Sequence, residues 1–270
     1  MKIMKELNID ALIGAIKLCE EREEKNISSV IYNKNRGSIG AVLCFMSHLP
    51  EYRGIYEYFV NGNKFSLKQE FYLRSKLVLA SVGHAGGASF EVSIDFLFAL
   101  LSDNIEAIKE MARLETPELI SQRDDPRSSR FQVYMLQQAI LGNDEKLSVL
   151  INKFVKGGGS KIREEYERGE NFFYLLLNGD KSALESLIEN KHSKIKSSLP
   201  VISDYMAVTA TIETKLCWFR GVDVHIKNPR VPMDLMPIEP LEVYDDVYNF
   251  LRPGWTQPKF SIIDRMRRFF

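Results

Sequence analysis
Apolar residues in the central part of this chain recur at offsets of three and four, the spacing that lines one face of a helix with 3.6 residues per turn. Phe96, Leu97, Leu100 and Leu101 precede the turn Ser102-Asp103-Asn104, and Ile105, Ile108, Met111 and Ala112 follow it. The pattern returns with Met135, Leu136, Ala139 and Ile140, the turn Gly142-Asn143-Asp144, then Leu147, Leu150, Ile151 and Phe154. A third copy has Phe172, Phe173, Leu176 and Leu177, the turn Asn178-Gly179-Asp180, then Ala183, Leu184, Leu187 and Ile188. Each triplet combines residues that tolerate a left-handed stop with residues that cap the next helix. Connections this short predict antiparallel helix pairs. The turns lie 40 and 36 residues apart, a spacing seen in helical-hairpin arrays. An ordinary helical domain with similar hairpins and no duplication gives the same pattern.

On the N-terminal side, Ile9–Glu24 reads as an amphipathic helix with Leu12, Ile16 and Cys19 inward. Ser38 caps a helix through Met46 that Pro50 ends or kinks. The aromatic run Tyr52, Tyr56, Tyr58, Phe59 stays helical up to Asn61-Gly62-Asn63, and Ser66 with Gln69 forms a capping box opening a helix to Gly83. Ser89 is expected to cap the next one, and Thr116-Pro117-Glu118 marks another start. Lys156-Gly157-Gly158-Gly159-Ser160 is the best candidate for an internal hinge. After Pro200, Ser203-Asp204 should open a single helix with Tyr205, Thr209, Ile212, Leu216 and Phe219 on one face, stopped by Gly221. On that helix Glu213 and Lys215 read as solvent-facing and Trp218 as core. The proline-punctuated stretch beyond Val222 is expected to pack across the last helix without forming a sheet. The fold expectation is all-α: an array or bundle of antiparallel helical hairpins, core at about 66–221, with a C-terminal strap and tail at 222–270, all in one domain.

Composition narrows this only a little. A hydrophobic fraction of 45% with 27% charged residues argues against disorder. Lys plus Arg balance Asp plus Glu at 36 each, so no global positive charge points to nucleic acid. The N-terminus is too polar for a signal peptide, and no apolar run approaches membrane-spanning length. Three cysteines, Cys19, Cys44 and Cys217, lie in apolar helical stretches without CxxC spacing and read as reduced core thiols. The cytoplasm is the expected location.

No stretch carries catalytic spacing. Gly83-His84-Ala85-Gly86-Gly87 lacks the strand and lysine of a phosphate loop and reads as a helix connection. His84, Glu91 and Asp95 form the nearest polar set, but no nucleophile or third metal ligand falls in register with them. The expectation is therefore no enzyme, no metal and no cofactor. Acidic residues cluster at Asp124 and Asp125 and again at Glu239, Glu242, Asp245 and Asp246. By charge clustering alone these six are the candidates for docking a basic partner, and the tail ends basic at Arg265, Arg267 and Arg268.

At the last helix the chain resembles a known family. Asp204-Tyr205, the helix to Trp218-Phe219-Arg220-Gly221-Val222-Asp223-Val224, and Val231-Pro232-Met233-Asp234-Leu235 are similar to the C-terminal pattern of the immunity protein 49 family. The preceding hairpins resemble that family's helical body, so the likeness spans Phe96 to Leu235. A lesser likeness is to immunity proteins of PoNe-type nuclease toxins. The resemblance implies a bacterial immunity protein that neutralises a cognate polymorphic toxin by tight binding, with no chemistry of its own. A helical-repeat scaffold binding an unrelated protein is the alternative.

Overall fold
The computed structural model describes residues 8–32, 38–91, 93–197 and 201–258. Pro200 and the basic end at Arg265, Arg267 and Arg268 lie outside them. Among the described residues every regular element is helical and there is no strand.

Four helices open the chain: α1 (Ile9–Tyr32), α2 (Ile39–Met46), α3 (His48–Phe59) and α4 (Lys64–Ser81). Pro50 does not end a helix. It sits in the first turn of α3, where its missing N–H costs nothing. The cap of α4 is Asn63, whose side chain accepts from the Ser66 amide at 3.0 Å, so Ser66 lies inside the helix. The glycine loop after α4 joins helices, as expected. It folds back on the end of α4, where a Cβ on Gly87 would stand 1.9 Å from the Ser81 carbonyl oxygen, and it touches the start of α2, where a Cβ on Gly40 would stand 2.5 Å from the Gly87 nitrogen. Ser89 does not cap the next helix, which starts at Ile94 after Ser93.

The three hairpins form where the apolar spacing places them: α5 (Ile94–Ser102) with α6 (Ile105–Arg113), α8 (Ser129–Leu141) with α9 (Asp144–Gly157), and α11 (Phe172–Asn178) with α12 (Lys181–Asn190). Each first helix stops on a left-handed residue, Asp103 at φ 58°, Gly142 at φ 71° and Gly179 at φ 63°. Asn104 and Asp180 then cap the returning helices. Short helices α7 (Pro117–Gln122) and α10 (Ser160–Glu167) fill the connections.

Helix α5 is apolar on every side, with Phe96 through Leu101 fully buried, as befits a helix packed all round. It lies against α4 and α6, and contacts then pass from α6 to α8, α9, α11 and α12. The last helix touches both α5 and α12, so the array curls back on itself. Leu12 of α1 and Ile55 of α3 share the same core.

The expected single helix from Ser203 is two: α13 (Ile202–Tyr205) and α14 (Val208–Phe219). The break follows from the strap. The Ala207 amide donates to the Arg230 carbonyl at 2.9 Å, and the Arg230 guanidinium donates to the Ser203 and Met206 carbonyls. Backbone groups that would continue the helix are thus taken by an extended segment. Glu213 and Lys215 are not solvent-facing either. Lys215 is fully buried, and Glu213 pairs with His192 at 2.6 Å. Trp218 is half-buried, donating to the Val224 carbonyl and stacking on His225. The three cysteines are free.

Candidate functional site on the C-terminal strap
Among the described residues beyond Gly221 there is little regular structure, yet the polar groups there are anchored at almost every step. Glu185 and Glu189, one turn apart on α12, accept the amides of His225, Lys227 and Asn228. Val231, Leu235 and Met236 enter the main core, and Tyr58 donates to the Asp234 carboxylate.

The strap then meets a buried charge cluster. The Lys215 ammonium donates to the carbonyls of Leu235, Met236 and Pro237 at 2.6, 3.1 and 3.0 Å and lies 2.6 Å from the Asp103 carboxylate. Lys68 reaches the other Asp103 oxygen at 2.8 Å and donates to the Glu239 carbonyl at 2.7 Å. The Glu239 amide donates back to Asp103 at 3.2 Å. Burial pushes the Lys215 ammonium down to about 8 despite the facing carboxylate. Asp103 explains why this hairpin turn differs from its glycine counterparts: aspartate tolerates the left-handed conformation, and only a carboxylate there can hold two lysines.

From Glu239 onward the strap runs along α4. Lys64 reaches the Glu239 carboxylate at 3.0 Å. Gln69 pairs reciprocally with the backbone of Asp245, at 2.8 and 3.0 Å, and Tyr72 donates to the Asp246 carboxylate at 2.7 Å. Tyr244 donates to the Ser102 carbonyl at 2.6 Å, and Tyr248 to Glu23 of α1 at 2.6 Å. Between these pins the chain makes a tight turn at Val247, closed by the Tyr248 amide on the Asp246 carbonyl, with φ 51° at Val247. A β-branched residue in that region is a steric outlier.

The outer surface of this segment is acidic and apolar together. Val243 is 79% and Val247 48% exposed, with exposed Glu242 and Asp245 beside them. Phe65, 64% exposed, stands next to Lys64 at the Glu239 end.

The six carboxylates picked out from charge clustering therefore separate. Asp124 and Asp125 lie on the exposed connection between α7 and α8, where they face Lys153 and Arg127; hydrogen bonds from Arg127 hold the Asp125 carboxyl below its ordinary range. Glu239, Glu242, Asp245 and Asp246 share the strap. Asp246 is occupied by Tyr72, and the Glu239 carboxyl is held low by Lys64. Asp245 accepts the Val247 amide at 2.9 Å and has Arg252 at 3.9 Å. Val243, Val247 and Phe65 carry no signal in the sequence, because a lone apolar residue between charges reads as an ordinary turn or helix position.

His84, Glu91 and Asp95 have separate fates: His84 is exposed in the glycine loop, Glu91 faces Arg130 at 3.8 Å, and Asp95 pairs with the buried Arg74. Among the described residues no helix is long and apolar enough to cross a membrane, and no group of three His, Cys, Asp or Glu is placed to hold a metal ion. Compared with models of protein families, with curated proteins and with solved structures, the chain finds no match.

Proposed function
We propose that this chain is a bacterial immunity protein that binds a cognate antibacterial toxin and neutralises it by covering its active site or substrate groove. The strap along α4 is the gripping face. The observation that carries this reading is the display of Glu242, Val243, Asp245 and Val247 on a segment pinned from both sides by Gln69, Tyr72 and Tyr244. A surface held rigid before encounter loses little entropy on binding. Exposed valines and Phe65 supply apolar contact, and the carboxylates around them favour a basic partner and speed its approach. A specific interface buries about 1,200–2,000 Å² in total, so neighbouring parts of the array would take part.

The direct test is growth. Cells expressing the product of the adjacent gene should survive when this chain is co-expressed, and the two proteins should co-purify. The double variant Glu242→Lys, Val243→Asp should lose both effects while keeping a helical circular dichroism spectrum. Absence of rescue by the wild-type chain would overturn the reading. Binding to some other protein without rescue would point to a helical scaffold instead.

A further inference from the structure
The array contains a cleft that the strap does not touch. It lies among the approach to α5, the first turns of α8 and α11, and α14, with a volume of about 210 Å³. Val133, Leu136, Phe172, Phe173, Ile212 and Leu216 make its apolar walls. Ser93, Ser129, Gln132 and Thr209 add uncharged polar groups, and two carboxylates, Glu91 and Glu213, face it. Among the described residues its lining contains no lysine or arginine.

Glu213 is the charged group that the cleft holds most deeply. It lies two residues before Lys215 on α14, which turns the two side chains to opposite sides of the helix. Lys215 holds the strap, while Glu213 takes His192 on the far side and opens to the cleft. Its side chain is only 14% exposed. The His192 ring meets one oxygen, Oε2, and a single imidazole leaves a carboxylate with further acceptor capacity. Glu91 meets the Arg130 guanidinium at 3.8 Å, and its side chain stays 64% exposed.

We propose that this cleft binds a small primary amine carrying one aromatic ring, with the ammonium on Glu213 and the ring against Phe172 and Phe173. Each feature selects for that chemistry. A carboxylate or phosphate ligand would face two acids with no lysine or arginine in the lining among the described residues, Arg130 being engaged by Glu91. A purely apolar ligand would cover the acceptor sites that His192 leaves open on Glu213 without giving them a donor, which costs more than it gains. An ammonium has three donors and no acceptor, so it answers Glu213 and the Ser129 or Thr209 hydroxyl together. The volume suits one ring, below the usual range for drug-sized ligands. This assignment is independent of the toxin-binding reading.

The test is titration of the full chain, by calorimetry or NMR, with 2-phenylethylamine, 2-phenylethanol and 3-phenylpropionate. The amine should bind at least about tenfold more tightly than the alcohol, the scale of one charge-assisted hydrogen bond, and the carboxylate should not saturate. Glu213→Gln, which keeps a partner for His192, should bring the amine down to the level of the alcohol. Gln132→Arg, at an exposed rim position, should weaken the amine about tenfold with the fold undisturbed, and serves if the Glu213 variant does not fold. Equal binding of amine and alcohol, preference for the carboxylate, or no binding of any probe would each overturn the proposal.

Discussion
Asp103 and Lys215 meet at 2.6 Å with neither side chain exposed to solvent. They join the first hairpin turn to the last helix, and Lys68 makes the same carboxylate serve α4 as well. Two ammonium groups around one carboxylate are tolerable here because the remaining donors go to strap carbonyls and the Glu239 carboxylate stands 3.8 Å from Lys68. Breaking a buried pair by removing one partner costs about 3–5 kcal/mol. Asp103→Asn should fall in that range by urea denaturation, because it leaves two ammonium groups without their shared acid. Lys215→Met should cost less, since Asp103 keeps Lys68, but should free the strap, read as faster proteolysis between residues 238 and 247. The reverse order of stabilities would show that the cluster is not what holds the strap.

Charge reversal on the exposed strap addresses the proposed docking surface directly. Glu242→Lys with Asp245→Lys should slow association with the proposed toxin partner about tenfold or more at low salt and flatten its salt dependence, while dissociation changes less. Stopped-flow measurements across ionic strengths would report it. Unchanged association kinetics would move the interface elsewhere.

Val247 offers a variant in which stability and binding separate. Its φ of 51° is unfavourable for a β-branched side chain and free for glycine. Val247→Gly should leave stability unchanged or raise it by about 1 kcal/mol, while weakening binding of the proposed toxin partner through loss of an exposed apolar contact. A clear loss of stability would mean that the valine side chain packs against something its exposure does not suggest.

Glu70 sets a pH dependence. Burial, with Glu57 and Glu23 nearby, pushes its carboxyl up to about 7 against the opposing influence of Arg53, and one of its oxygens is buried without a hydrogen-bond partner. The folded state therefore binds more protons than the unfolded state between the ordinary glutamate value of about 4.3 and 7. This group's contribution to stability rises as pH falls through that window and is lost above it. Glu70→Gln should stabilise the protein at pH 8, on the order of 1–3 kcal/mol, and make little difference near pH 4. Parallel denaturation curves for the two proteins across that range would contradict it.

The hairpin turns were legible because capping is local. An Asn or Asp that tolerates a left-handed stop, or a Gly that prefers one, ends a helix using only its own backbone and the next few residues, so the apolar spacing and the turn triplets specified α5/α6, α8/α9 and α11/α12 directly. The extended course of the strap was legible from its prolines. The fate of the charges was not. Glu213 and Lys215 look alike in sequence, polar positions on an amphipathic helix, and their burial depends on what arrives from residues twenty or more positions away: His192 for one, Asp103 and the strap carbonyls for the other. The break between α13 and α14 has the same origin, since Arg230 claims backbone groups that helix propensity alone would have kept. Local hydrogen bonding thus wrote the helices and their turns into the sequence, whereas the partners of buried charges, the course of the strap along α4 and the acidic-apolar face it presents were settled only when distant segments came together, because desolvation acts on a group through its whole surroundings.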